Sequence, residues 1–292
     1  MKDRTFGQLA LLPLIFFLLA FEVYPILRTI EFSFFEQKIY SQDRYFVGFD
    51  NIIRVFQDPL FWTSFRNSLV FTFGSVLIQV VVGVFIAMML NQVFFGRNFI
   101  RSLILFSYIV PTVVAVVVWR FMLSDKTGIL NHVITTYNLP LPAYWFSSKQ
   151  TAMMGVIVIT VWKFFPFMVL MFLAQLQSID PEQYEAARID GARPHQEFFF
   201  ITLPFLKPVI LIAMMLRTIF LFRNFDIIRL LTNGGPLNAT VTIPLQVYNV
   251  TFGQYSLGMG SATSLILFLI ILAMSFGYLK LYVSAQRELT HQ

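Results

Sequence analysis

The chain has 292 residues, of which 57% are hydrophobic and only 12% charged, about half the ~25% usual in a soluble domain. A soluble globular domain and a disordered chain are both excluded by that balance, and the absence of cysteine removes disulfides, thiolate metal sites and thiol nucleophiles. The net charge of +6 is spread in short runs between apolar segments, without the basic stripe that nucleic acid would need, so it reads as a membrane topology signal.

Six stretches are apolar enough to supply the ~20 residues that cross a bilayer, near 9–30, 68–90, 102–123, 151–176, 208–231 and 261–284. The expected fold is therefore an all-α polytopic membrane protein with six transmembrane helices in a single domain. The first stretch follows a short basic start (Lys2, Arg4) and exceeds a signal-peptide core, so it reads as a retained anchor helix. Pro13, Pro25, Pro111 and Pro166 fall inside spans, where they kink helices rather than abolish them.

Six spans place both termini on one side. The flanks on that side carry nine Lys and Arg: Lys2, Arg4, Arg97, Arg101, Arg188, Arg193, Lys207, Lys280 and Arg287. The opposite flanks carry six: Lys38, Arg44, Arg54, Arg66, Lys126 and Lys149. The bias predicts cytoplasmic termini. Between the spans, residues 31–67 have room for an interfacial helix, 138–142 (Asn-Leu-Pro-Leu-Pro) are turn-rich, and Asn233-Gly234-Gly235-Pro236 is a strong turn signal.

The connection at 178–204 stands apart. Asp180 suits a helix N-cap, Pro181 the first helical position, and Gln183 the return half of a capping box. Tyr184, Ala187 and Ile189 give a small apolar face, and Gly191 can stop the helix in the left-handed conformation. A second helical piece, Glu197 to Ile201, is expected to lead into Pro204 and the next span. The predicted result is a helix of two to three turns that fits either the membrane surface or a groove in a partner protein.

Glu185-Ala186-Ala187, Gly191 and Ile201-Thr202-Leu203-Pro204 stand in the spacing EAA, three residues, G, nine residues, I-x-L-P. This resembles the EAA loop of the integral membrane subunits of binding-protein-dependent ABC importers. Phe46 to Asn51, Asp58-Pro59, Trp119-Arg120, Thr127 to Asn131, Phe225-Asp226 and Leu231 to Pro236 are similar to the carbohydrate-uptake branch, typified by maltose and glycerol-3-phosphate permeases. Ser107 departs from that branch, which often has Pro before Tyr-x-x-Pro. The resemblance implies a permease subunit in the bacterial inner membrane. It implies a second homologous permease, a cytoplasmic ATP-binding subunit dimer, an extracytoplasmic solute-binding protein and a sugar-type solute as partners. It also implies that Tyr184, Glu185, Ala186, Ala187, Asp190 and Gly191 couple to the ATPase. No G-x-x-x-x-G-K-[ST] occurs, so ATP would be used by the partner subunits, with no cofactor, metal or catalytic group held here.

Charges at bilayer depth are functional candidates because burying them is costly. Arg28, Arg120 and Arg229 lie near span ends and are expected to snorkel, while Glu22 lies within the first span. Arg223 and Asp226, three apart, are expected to pair on one helix. Lys163 and Phe164 sit mid-span beside Pro166, where a kink would free carbonyls toward a cavity. Arg217, Phe220, Leu221 and Asn224 fall at i, i+3, i+4 and i+7, one helical face. These six are the candidate solute path; alternatively Lys163 and Arg217 neutralise acids on the partner permease. The excess of positive mid-span charge raises the expectation of an anionic group on the solute. A stand-alone secondary transporter is the competing function, but it leaves the EAA spacing unexplained.

Overall fold

The computed structural model describes residues 11–142 and 144–290, the side chains of 287–290 excepted. Residues 9 and 10 of the first expected span, and Lys2 and Arg4, lie outside the described residues. Twelve helices, numbered in chain order, and one small hairpin lie among the described residues. The chain divides into two compact units, residues up to 62 with 243–270, and 63–242 with 271–292.

In the first unit, α1 (Leu11–Ser33) is one of the membrane-length apolar helices. It is followed by an antiparallel hairpin, β1 (Phe35–Gln37) and β2 (Arg44–Phe46), with Phe35 opposite Phe46. The expected interfacial segment thus carries a hairpin as well as a helix, α2 (Asp50–Gln57). Buried Asn51 ties these together: its Nδ2 donates to the carbonyls of Ser33 and Phe35 at 3.0 and 2.9 Å. A buried amide satisfied in this way fixes the exit of α1, because leaving it unpaired would cost its desolvation. Arg28 pairs with Glu31 one turn on. The helix Ile243–Tyr248 (α11) holds Gln246 against Asp58, Nε2 to Oδ2 at 3.1 Å.

α3 (Pro59–Asn91), which belongs to the second unit from Thr63 on, starts nine residues before the expected span at 68. Its extra turns carry buried Ser64, whose carbonyl accepts from Oγ of buried Ser68 at the start of the expected span. α4 (Arg97–Ile109) and α5 (Thr112–Met122) meet at a 95° bend, so where the third span is expected the chain forms a bent pair, the form of a broken span or a re-entrant loop. A short helix, α6 (Ile129–Thr136), precedes α7 (Ala152–Leu176), whose apolar window is 56% buried, more than any other candidate span. α7 packs against α4, α5, α9 and α10 and forms the centre of this unit. Pro166 lies inside α7, which continues past it, and a 95° bend lies at the α4–α5 junction.

The connecting helix is α8 (Pro181–Ile189). α9 runs from Pro194 to Phe222 through one wide π-helical turn at Phe198–Thr202, so the separate piece expected at 197–201 is the start of the span itself. That span ends at Phe222, not at 231. Residues 223–225 break the helix, and α10 (Asp226–Leu231) is a separate short helix. Arg223 and Asp226 are therefore not on one helix, and no ion pair joins them among the described residues. Arg120 Nη1 donates to the Leu230 carbonyl at 3.0 Å, at the end of α10. Arg229 bonds the Asn233 side chain in the turn that follows. α12 (Leu257–Thr290) closes the chain, and in this unit Tyr278 meets Thr218 of α9, hydroxyl to hydroxyl at 3.0 Å.

Candidate functional site

Two groups of residues in the second unit carry chemistry. The first is α8 and its anchors. Asp180 Oδ1 accepts from the Glu182 amide at 3.0 Å, which is the N-cap expected from the sequence. The side chain of Gln183 makes no return bond to Asp180 among the described residues; Gln196 does that work for the next helix, with Oε1 accepting from the Arg193 amide at 2.7 Å. Gly191 has φ +81°, the left-handed stop, and the Ala192 amide bonds back to the Ala187 carbonyl at 2.9 Å.

Glu185, Ala186, Asp190 and Gly191 are exposed, while Tyr184 and Ala187 are half-buried. Ile189, expected on the packed face, is 86% exposed and points away from it. Two side chains strap α8 to the start of α9. Tyr184 Oη lies 2.9 Å from Thr202 Oγ1, and the Arg188 guanidinium bonds both Glu197 carboxylate oxygens at 2.9 and 3.2 Å. The hydrogen bond to Glu197, with its negative charge, raises the Arg188 pKa above its ordinary value. Behind the straps lies an open cleft of about 840 Å³, lined in part by Met88, Gln92, Arg97, Tyr184, Arg188 and Glu197. Arg188, Glu197 and Thr202 were not among the sequence candidates. The only signal was an Arg and a Glu nine residues apart across a glycine stop.

The second group lies between α3, α4, α7 and α9. Lys163, 2% exposed, directs Nζ to three carbonyls of the α4–α5 junction: Ser107 at 2.8 Å, Tyr108 at 2.9 Å and Val110 at 2.6 Å. The local sequence explains the need. In a continuous helix the Ser107 carbonyl would receive the amide of residue 111, but Pro111 has no N–H. The ends of helices leave carbonyls unpaired and carry partial negative charge, and an ammonium satisfies both.

Arg217 is 4% exposed and lies over the rings of Phe164 (4.3 Å), Phe220 (4.8 Å) and Phe167 (5.8 Å). Its Nε donates to Gln79 Oε1 at 3.2 Å, while Nη2 has no partner among the described residues. Phe164 also meets Tyr108 and Phe220 edge-on, at 6.4 and 5.3 Å. Lys163, Phe164, Arg217 and Phe220 thus come together. Leu221 is buried at 1%, and Asn224 does not share the face assigned to it. It lies beyond the end of α9, and its Oδ1 accepts from the Ile227 amide at 3.3 Å at the start of α10. The break at 223–225 removes the helical register that i+7 assumed. Sequence reading missed Gln79, the end of a buried polar row on α3 (Ser64, Ser68, Thr72, Ser75, Gln79). Its spacing of three and four residues was the available signal.

Membrane-length apolar helices, a bent helix pair and buried cations among aromatic rings are the architecture of a polytopic membrane protein. Residues 79–285 match the family described as "Binding-protein-dependent transport system inner membrane component", and the chain belongs to that family. It is 36% identical to the trehalose/maltose transport system permease protein MalF of Thermococcus litoralis, over 96% of this chain and 94% of that one. It is 32% identical to the sulfoquinovosyl glycerol transport system permease protein SmoG of Agrobacterium fabrum, over 96% and 91%. A bacterial ABC transporter that imports the acidic polysaccharide alginate has a chain of the same fold. Its TM-score is 0.82 at 23% identity, covering 98% of this chain and 96% of that one.

Proposed function

We propose that this chain is one of two related permease subunits of an ATP-driven, binding-protein-dependent importer for a sugar, oligosaccharide or sugar derivative. The relatives named for trehalose, maltose and sulfoquinovosyl glycerol support the solute class. A solved neighbour in complex with a sugar-bound periplasmic protein supports delivery by a binding protein. The termini and α8 lie on the cytoplasmic side in this reading, in keeping with the Lys and Arg bias. The energy comes from a separate ATP-binding dimer, and α8 is the element that docks into it.

One observation carries the reading: the EAA residues lie on a capped helix whose outer face is exposed and whose inner face is strapped to α9. A helix held at its base and bare on its outer side is suited to receive force from a partner and pass it to a span. Lys163, Phe164, Arg217 and Leu221, with exposed Phe220 at their edge, are the residues toward which that motion is directed; Asn224 serves the α9–α10 turn.

The test is purification of the tagged chain with its co-eluting proteins, followed by transport and ATPase assays on the assembly. An ATP-binding subunit and a second permease should accompany it. Glu185→Lys reverses an exposed charge and should uncouple ATP hydrolysis from solute uptake while assembly into the membrane is unchanged. Solute movement by the reconstituted chain alone would sink the reading.

A further inference from the structure

We propose that the Lys163 ammonium is a resident cation: it fills, with the protein's own side chain, a monovalent-cation site built by the carbonyls of Ser107, Tyr108 and Val110. It is a positioning residue that holds the break between α4 and α5, and it is not a solute contact. An ammonium has three N–H donors. All three have a carbonyl within 2.6–2.9 Å, so none is left for a sugar hydroxyl. The site around it is complete without any other group. Tyr108 and Phe164 present ring faces 5.8 and 5.6 Å from Nζ, the arrangement that attracts ammonium ions. Oxygen ligands at the C-terminal end of a broken helix are the chemistry that elsewhere binds a free hard cation.

Two consequences follow. The 95° bend is a built-in feature of this subunit, held by a covalently attached cation and independent of ions in solution. Lys163 also gives no reason to expect an anionic solute, because its charge is answered by backbone.

Lys163→Ala removes a propylammonium-sized fragment and leaves three carbonyls facing the vacated space. The probe is therefore n-propylammonium, with n-propanol and tetramethylammonium as controls that lack the charge or the N–H donors. The variant is made in the full chain and purified as the assembled transporter. The melting temperature of K163A should fall, and n-propylammonium should raise it again, with no effect on wild type and none from either control. This arm needs neither the solute nor ATP, so it stands apart from the proposed function. In transport, which rests on that function, kcat should fall at least about tenfold with KM little changed, since charged hydrogen bonds are lost away from the solute. n-Propylammonium should recover part of it.

A raised KM at wild-type kcat would make Lys163 a solute contact and overturn the proposal. So would a folded K163A that melts like wild type or ignores n-propylammonium. If K163A does not assemble, Lys163→Met restores the stem without the ammonium. A wild-type kcat in K163M overturns the proposal, and a lowered kcat with unchanged KM supports it.

Discussion

Arg188 on α8 holds Glu197 on α9 through two parallel bonds, Nε to Oε1 at 2.9 Å and Nη2 to Oε2 at 3.2 Å. The pair spans the Gly191 turn, and Tyr184 with Thr202 makes a second strap beside it. Paired charges near the surface add little to stability but fix geometry when they are bidentate. Arg188→Ala or Glu197→Ala should therefore leave the melting temperature nearly unchanged. Each should lower the ratio of solute moved to ATP hydrolysed by roughly two- to fivefold. The swap Arg188→Glu with Glu197→Arg should recover part of the loss. Equal coupling in wild type, singles and swap would show that the straps carry no motion.

Gly191 tests the stop itself. Its φ of +81° is unfavourable for any side chain by about 1–2 kcal/mol, and no atom lies within 4 Å of an added Cβ. The penalty is conformational and not steric. Gly191→Asn, which tolerates the left-handed region, should keep most coupled transport. Gly191→Val, β-branched, should lose most of it while the protein still inserts. The comparison is uptake against ATPase rate in vesicles with matched amounts of each variant. Identical behaviour of the Asn and Val variants would remove the role given to the backbone here.

Long apolar runs made the helices legible in the sequence, and the caps at Asp180 and Gly191 were legible because each is a local rule acting within a few residues. The ends of α3 and α9 were not. At α3 the extra turns carry Thr63, Ser64, Arg66 and Asn67, and averaging over a window discounts a polar residue such as Ser64 that the fold buries inside the unit. At α9 the apolar residues resume with Ile227 and Ile228 after Arg223, Asn224 and Asp226, so an average over a window bridges the break at 223–225. Lys163 was recognised as exceptional, but its partner was sought at Pro166, the nearest proline in sequence. The carbonyls it serves are 53 to 56 residues away, beside Pro111. Pairings of that range depend on the packing of α4 against α7, which no local pattern records.

Arg217 and Gln79 form the other long-range pair, and their energetics can be separated. Arg217→Met keeps an apolar stem among Phe164, Phe167 and Phe220 but leaves Gln79 Oε1 without its donor. A buried acceptor left unpaired costs about 1–3 kcal/mol. Gln79→Leu leaves the guanidinium with ring faces alone. Each single variant should melt several degrees below wild type, and the double variant should melt above the sum of the two losses, a coupling of about 0.5–3 kcal/mol. Additive losses in the melting series would mean that the 3.2 Å contact contributes nothing. Arg217→Lys should fall between, because a lysine keeps the charge over the rings but not the planar fork.

The last prediction concerns the first unit, where α12 passes the end of α1. A Cβ built on Gly258 would lie 2.1 Å from the Phe35 carbonyl oxygen and 3.0 Å from Asn51 Nδ2. The first is backbone and cannot swing aside, and the second is the amide that holds Ser33 and Phe35. Gly258→Ala must push the hairpin strand away and strain the Asn51 bonds together, so overpacking should cost about 1–3 kcal/mol. Gly277, on the same helix, has nothing within 4 Å of an added Cβ. There alanine should be neutral or gain about 0.5–1 kcal/mol from reduced backbone freedom. Melting of the two variants, with proteolysis across residues 34–46, separates a packing contact from a general effect of alanine in α12. Protection of the hairpin in Gly258→Ala equal to wild type would show that the two segments do not meet as closely as the 2.1 Å approach requires.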